Sequence, residues 1–182
     1  MENGLSIGEM AGSPWVEKAS IETPLGLLHI YARGRCILAA EFAGRDRAIH
    51  GLRRYLPHFA VEESVEPEEL RCPFARYFDG DIHALAAVSV APYGTKFQKR
   101  VWALLMTVPA GSTVSYGELA AKLGQPKAAR AVGHANGCNP IPIIIPCHRV
   151  LGSDGSLTGY GSGLDRKSRL LRHEGAAFGR LL

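Results

Sequence analysis

A cysteine and a histidine stand side by side at Cys147 and His148, behind the run Pro140-Ile141-Pro142-Ile143-Ile144-Ile145-Pro146 and ahead of Arg149-Val150. An unassisted thiol has a pKa of about 8.5, so only a few per cent is thiolate at neutral pH unless a base or a dipole helps. His148 is the obvious base. Neighbours in an extended chain point to opposite sides, so the histidine is expected to reach the sulfur through a water rather than by contact. The alternative is a thiol that merely fills space, which is the commoner fate of a cysteine beside a strand. The apolar run is read as a short buried strand, fenced by prolines that forbid further ladder pairing.

The elements that would position this pair begin at Thr95, whose hydroxyl and Gln98 form a capping box. Phe97, Val101, Leu104, Leu105 and Val108 then make one apolar stripe, leaving Lys96, Lys99 and Arg100 toward solvent. Pro109-Ala110-Gly111 stops that helix. Ser115 and Glu118 form a second capping box, opening a short helix through Leu123. Gly124-Gln125-Pro126 turns the chain into a third helix over 127–136. Two short helices with a tight turn read equally as a helix-turn-helix or as an αα-hairpin that only packs.

The third helix carries the information that separates those readings. Ala128-Ala129-Arg130-Ala131-Val132-Gly133-His134-Ala135-Asn136-Gly137 is nearly all small side chains with one long cation. A DNA minor groove is only about 6 Å wide, so a helix entering it must be stripped of bulk, whereas a major-groove reader carries several long polar side chains. Arg130 then reads as a probe, against the alternative of a solvated surface arginine.

Ahead of these helices, Leu25–Ile30 and Cys36–Phe42 read as β-strands with a hairpin near Gly34. Ile49, Leu52 and Leu56 share a helical stripe, and Glu68–Phe78 reads as a further helix. The material is α/β or α+β. The domain boundary is set after Ala91: residues 1–91 hold 9 basic and 13 acidic side chains, and residues 92–182 hold 12 and 4. A net −4 against a net +8 points to a polyanion partner for the second part, or to a basic face with no specific partner.

The 182 residues, 46% hydrophobic and 21% charged, have a globular composition. No run approaches the roughly 20 apolar residues of a membrane span, and Glu2 and Glu9 stand where a secretory leader would be basic and then apolar. A soluble intracellular protein without membrane contact is expected. Cys36, Cys72, Cys138 and Cys147 lack any Cys-x-x-Cys pair and read as free thiols.

Ile143-Ile144-Ile145-Pro146-Cys147-His148-Arg149-Val150 resembles the active-site signature of the O6-alkylguanine-DNA alkyltransferases, the methylated-DNA–protein-cysteine methyltransferases. The likeness runs from about Thr95 to Gly175 through Phe97-Gln98-x-x-Val101-Trp102, Ser115-Tyr116-Gly117, Ala128-Ala129-Arg130-Ala131-Val132-Gly133, Asn139-Pro140 and His173-Glu174-Gly175. Only Thr23-Pro24-Leu25-Gly26-Leu27 carries it into the first part.

The resemblance implies a ribonuclease-H-like α/β domain over 1–91 and a winged-helix-like domain over 92–182 that binds DNA and accepts the alkyl group. It implies minor-groove docking of the third helix through Ala128, Ala129 and Gly133. Arg130 would fill the stack left by a flipped base, and Tyr116 would push the target phosphate. Glu174 would orient His148, His148 would take the Cys147 proton, and Tyr116 would protonate the departing guanine, with Lys167 a secondary candidate at the oxygen. Asn139 would bind near the sulfur, Pro142 would wall the pocket, and Val150 with Tyr160, Gly161 and Ser162 would offer backbone to the base. Implied too are a substrate of alkylated guanine in duplex DNA, with O4-alkylthymine beside it, no cofactor, no metal, a monomer in the cytoplasm or nucleus, and single use. Many relatives read Tyr-x-Gly-Gly where this chain reads Tyr160-Gly161-Ser162-Gly163, so Ser162 is expected to restrict bulky adducts.

Three rival readings stand beside this one. A zinc module of His134, Cys138, Cys147 and His148 is disfavoured because adjacent residues would have to converge on one ion. A cysteine hydrolase using Cys147, His148 and Glu174 would turn over and ignore DNA. A non-catalytic lesion binder would lack the cysteine, which is present.

Overall fold

The computed structural model describes residues 15–63 and 68–179. Four strands, β1 (Trp15–Ile21), β2 (Leu28–Arg33), β3 (Cys36–Phe42) and β4 (Ala60–Glu63), form one sheet in the order β3-β2-β1-β4. β1 runs antiparallel to β2 and parallel to β4, and β2 runs antiparallel to β3. The hairpin at Gly34 stands as expected, with the glycine at φ 53°. The strand anticipated from Leu25 instead starts at Leu28. Leu25 and Gly26 belong to a turn in which the Gly26 amide donates to the Thr23 carbonyl and the Thr23 hydroxyl to the Gly26 carbonyl. The alternation misled because Leu25 is buried by the turn rather than by pairing.

Helix α1 (Arg47–Tyr55) lies on one face of the sheet, where Leu52 joins Val16, Tyr31, Leu38 and Ala39. Helix α2 (Glu68–Phe78) spans the residues its pattern predicted. It lays Leu70, Phe74 and Tyr77 on the other face, at the i, i+4, i+7 spacing of one helical stripe.

The helices that follow bury Val101, Leu119, Val132 and Leu170 on that second face. Helix α3 (Lys96–Leu105) starts at the Thr95–Gln98 capping box, and α4 (Tyr116–Lys122) at the Ser115–Glu118 box. A 3-10 turn (Pro126–Ala128) precedes α5 (Ala129–Gly137), and α6 (Leu164–His173) closes the fold. The third helix thus begins two residues later than expected, because proline leads a tighter turn there. Two short strands, β5 (Val114–Ser115) and β6 (Val150–Leu151), pair in parallel.

One buried cluster joins Ile30, Ala40 and Phe42 of the sheet to Phe74 and Tyr77 of α2 and to Val101, Trp102, Val132, Ile141 and Cys147. Trp102 donates its indole N–H to the Ala135 carbonyl at 2.9 Å, tying α3 to α5. A Cβ at Gly94 would sit 2.5 Å from the Trp102 ring, so only glycine lets the chain cross there. Among the described residues no helix is long and apolar enough to cross a membrane.

Candidate active site

The segment before Cys147 is not a strand. Residues 140–146 form successive turns, with the Ile145 amide donating to the Ile141 carbonyl at 3.0 Å and Ile143 at φ 75°. Three prolines in seven residues leave too few N–H groups for a ladder, although the isoleucines are buried as a strand's would be. Cys147–Arg149 is likewise a 3-10 turn, so the alternation assumed for an extended chain does not apply between Cys147 and His148.

Asn139 fastens this turn to its thiol. Its Nδ2 donates to the Ile145 carbonyl at 2.8 Å and to Cys147 Sγ at 2.9 Å, while its Oδ1 accepts from the Ile141 amide. Cys147 is 5% exposed and lines a cavity of about 380 Å³ with Asn139, Pro142, Tyr160, Gly161 and Ser162. Burial pushes its thiol up to about 11, against the pull of the Asn139 amide and the Lys167 charge. At rest the sulfur is a thiol, so chemistry at neutral pH needs a base.

His148 is fully buried and joined through Nε2 to Glu174 Oε1 at 3.0 Å. A carboxylate only accepts, so the proton sits on Nε2 and Nδ1 keeps its lone pair. Nδ1 is buried and finds no protein partner among the described residues. Burial holds His148 below its ordinary value, although Glu174 pulls the other way, and the imidazole is neutral at pH 7. It is therefore a competent acceptor.

Glu174, at the end of α6, is held by more than His148. Arg149 grips it with Nε on Oε2 and Nη2 on Oε1, both at 2.8 Å, and the Tyr77 hydroxyl donates to Oε1 at 2.7 Å. Burial pushes this carboxyl up, but the hydrogen bonds and charges of His148 and Arg149 outweigh it and leave it well below the carboxylate range. Neither Tyr77 nor Arg149 was singled out from the sequence. Arg149 stood in the tetrapeptide beside the pair, whereas Tyr77 lay unremarked in the helix over 68–78, whose apolar positions read as Leu70, Phe74 and Phe78; the structure buries Tyr77 and leaves Phe78 partly exposed. Asn136 was missed as a side chain too: its Nδ2 lies 3.4 Å from the Cys147 carbonyl.

The remaining candidates lie around this centre. Tyr116 packs its ring where a Gly133 side chain would begin, 3.6 Å from that Cβ position, and its hydroxyl lies 3.4 Å from the Gly159 carbonyl. Lys167 is fully buried with Nζ 2.5 Å from both the Val150 and the Thr158 carbonyls, and burial lowers it to about 8. It ties β6 to the pocket loop. Ser162 is buried, its carbonyl accepting from Arg166, and Gly161 offers its carbonyl to Arg45 of the β3–α1 loop. Arg130 is exposed on the outer face of α5, with Ala128 and Ala129 half-buried near its start.

Residues 96–176 match the family model for the DNA-binding domain of 6-O-methylguanine DNA methyltransferase. The methylated-DNA–protein-cysteine methyltransferase of Salmonella typhimurium is 45% identical over 161 residues, covering 85% of this chain and 93% of that one. The chain belongs to the methylated-DNA–protein-cysteine methyltransferase family. A Methanosarcina acetivorans methyltransferase of this family is 56% identical over 158 residues, covering 87% of this chain and 97% of its own. The crystal structure of the Mycobacterium tuberculosis O6-methylguanine methyltransferase superposes with a TM-score of 0.71 at 38% identity, over 88% of this chain and 93% of that one. A structure of that enzyme in complex with DNA gives the same score at 37% identity, over 88% and 92%. Both likenesses to this methyltransferase extend well outside the 96–176 region, so they take in the sheet as well as the cysteine site.

Proposed function

We propose that this protein repairs duplex DNA by moving the alkyl group of O6-alkylguanine, and of O4-alkylthymine, onto Cys147. The observation that carries the reading is the join of His148 Nε2 to Glu174 at 3.0 Å, beside a cavity lined by Cys147. It leaves a neutral imidazole whose Nδ1 has no protein partner among the described residues, on the residue that directly follows a protonated thiol.

In this mechanism His148 Nδ1 takes the Cys147 proton through an intervening water, with Glu174 stabilising the imidazolium. The thiolate attacks the alkyl carbon, forming the S–C bond as the C–O6 bond breaks, and the guanine leaves as Tyr116 supplies a proton. Asn139 holds the sulfur, Pro142 walls the base pocket, and the backbone of Val150 and of Tyr160, Gly161 and Ser162 faces the base. Lys167 acts by holding that loop. A thioether has no activated carbonyl for water to attack, so each chain reacts once, and none of these steps calls for a cofactor or metal.

The base reaches the cavity by leaving the helix, at a cost of a few kcal/mol that is smaller for a weakened pair. Arg130 fills the gap, and Ala128, Ala129 and Gly133 let α5 enter the minor groove. The sheet with α1 and α2 corresponds to a ribonuclease-H-like domain, and residues 92–182 to a winged-helix-like domain that binds DNA as a monomer.

The test is mass spectrometry after exposure to a duplex containing O6-methylguanine. One methyl per chain on the Cys147 peptide is expected, and a Cys147→Ala variant should still bind the duplex with strong salt dependence. Repeated turnover, or an unmodified Cys147 with the lesion intact, would overturn the reading.

A further inference from the structure

The Glu174 carboxylate receives more donors than its charge requires. Arg149 alone neutralises it with a two-pronged contact, and His148 adds the hydrogen bond that orients the imidazole. Tyr77 then donates to the same oxygen, Oε1, from α2 in the first half of the chain. At 2.7 Å it is the shortest of the three contacts on that oxygen.

The phenol is fixed in place. Its ring stacks edge-on against Phe78 at 5.1 Å and against His173 at 4.9 Å, and the His173 ring bonds the Tyr77 carbonyl through Nε2 at 2.7 Å. Tyr77 is 1% exposed, and burial with the neighbouring Glu174 charge keeps its proton on. It is a permanent neutral donor.

We propose that Tyr77 is a positioning residue for alkyl transfer: by sharing Oε1 with His148 it draws off part of that oxygen's charge and sets how strongly the imidazole takes the Cys147 proton. This rests on the alkyl-transfer reading above and adds to it a part played by the first half of the chain. An acceptor oxygen with a second strong donor is a weaker partner for the first. Removing the phenol hydroxyl therefore concentrates charge on the His148 bond and favours imidazolium. The other groups around His148 are Arg149 and Cys147 of its own turn, Lys167 of α6 and Tyr160 of the pocket loop, whose ring lies 6.5 Å away, while His173 faces Tyr77 itself. Of these, Tyr160 also feels Tyr77, but burial holds its proton on, so it brings no charge to His148.

The experiment is a pH titration of the full chain by histidine ¹⁵N NMR, run beside the pH profile of methyl transfer. Tyr77→Phe should raise the His148 midpoint by about one pH unit, a tenfold gain in proton affinity, and move the acid limb of the transfer rate up with it. Tyr77 replaced by 3,5-difluorotyrosine, a stronger donor of the same shape, should move both the other way. If Tyr77→Phe does not fold, the fluorinated protein decides alone. A His148 midpoint that stays put in the variants that fold, with only the melting temperature changed, would overturn the proposal and leave Tyr77 a packing residue. Should the unaltered chain accept no methyl while the midpoints move as stated, the repair reading fails and the coupling stands.

Discussion

The side-chain amide of Asn139 donates to Cys147 Sγ at 2.9 Å and to the Ile145 carbonyl at 2.8 Å, so one group both shapes the turn and touches the thiol. A donor to sulfur favours the thiolate. Asn139→Ala should push the already raised thiol higher and slow its alkylation by a small alkyl halide at pH 8 by about tenfold, the effect of one pKa unit. Mass spectrometry of the Cys147 peptide over time measures it. An unchanged rate would mean that the amide serves only the backbone.

Stability should fall in two stages on acidification. Burial holds His148 below 6.5, so the unfolded chain binds the extra proton first and folding is disfavoured as pH drops through that value. Glu174 is held below 4.5 by His148 and Arg149 despite its burial, so its contribution is present above 4.5 and lost beneath it. His29, also lowered by burial, adds to the first stage. Thermal melting from pH 8 to 3 should show a neutral plateau and then both declines, with the first smaller in His148→Asn. A profile flat down to pH 4 would contradict this.

Arg149 is predicted to matter as much for folding as for chemistry. Its side chain is 11% exposed and that of Glu174 is 0%, so removing one partner strands a buried charge. Arg149→Ala should cost about 3–5 kcal/mol, seen as a melting temperature lower by about 10 °C. Arg149→Lys keeps the charge but not the fork and should recover only part of the loss. A melting temperature within a degree or two of the unaltered chain would show that the carboxylate is satisfied by other means.

Gly133 should trade stability against binding. It lies inside α5, where glycine costs about 0.5–1 kcal/mol relative to alanine. An added Cβ would meet Tyr116 at 3.6 Å, an ordinary contact. Gly133→Ala should therefore melt higher yet bind duplex more weakly, because the added methyl lies on the helix proposed to enter the groove. Anisotropy on a labelled duplex, with a melt in parallel, tests both halves. Equal affinity would argue against minor-groove entry by this face.

The parts of this protein legible in the sequence were those fixed by local chemistry. Thr95 with Gln98 and Ser115 with Glu118 form their capping boxes as read, because each box needs only four consecutive residues. The join of His148 to Glu174 followed from family likeness rather than from spacing, and it is present at 3.0 Å. Strand β1 went unread, since Trp15–Ile21 has the polar Glu17 and Lys18 in mid-strand and gains its identity from β2 and β4 on either side. The turns at 140–146 imitated a strand because burial, not pairing, selects isoleucine there. Tyr77 meets Glu174 across 97 positions of chain, a distance over which no periodicity speaks.

Strand β3 forms one border of the sheet, and its outward backbone is occupied by the rest of the chain: Ile37 bonds Ser89 and Ala91, and the Ala40 amide bonds the Pro140 carbonyl. The opposite border, β4, is four residues long, exposed throughout, and ends in Glu62-Glu63. Neither rim invites another copy to add a strand. If the turns around Pro140 detach, the β3 rim loses part of that cover, so heat-stressed protein is expected to clump through this sheet before it fully unravels.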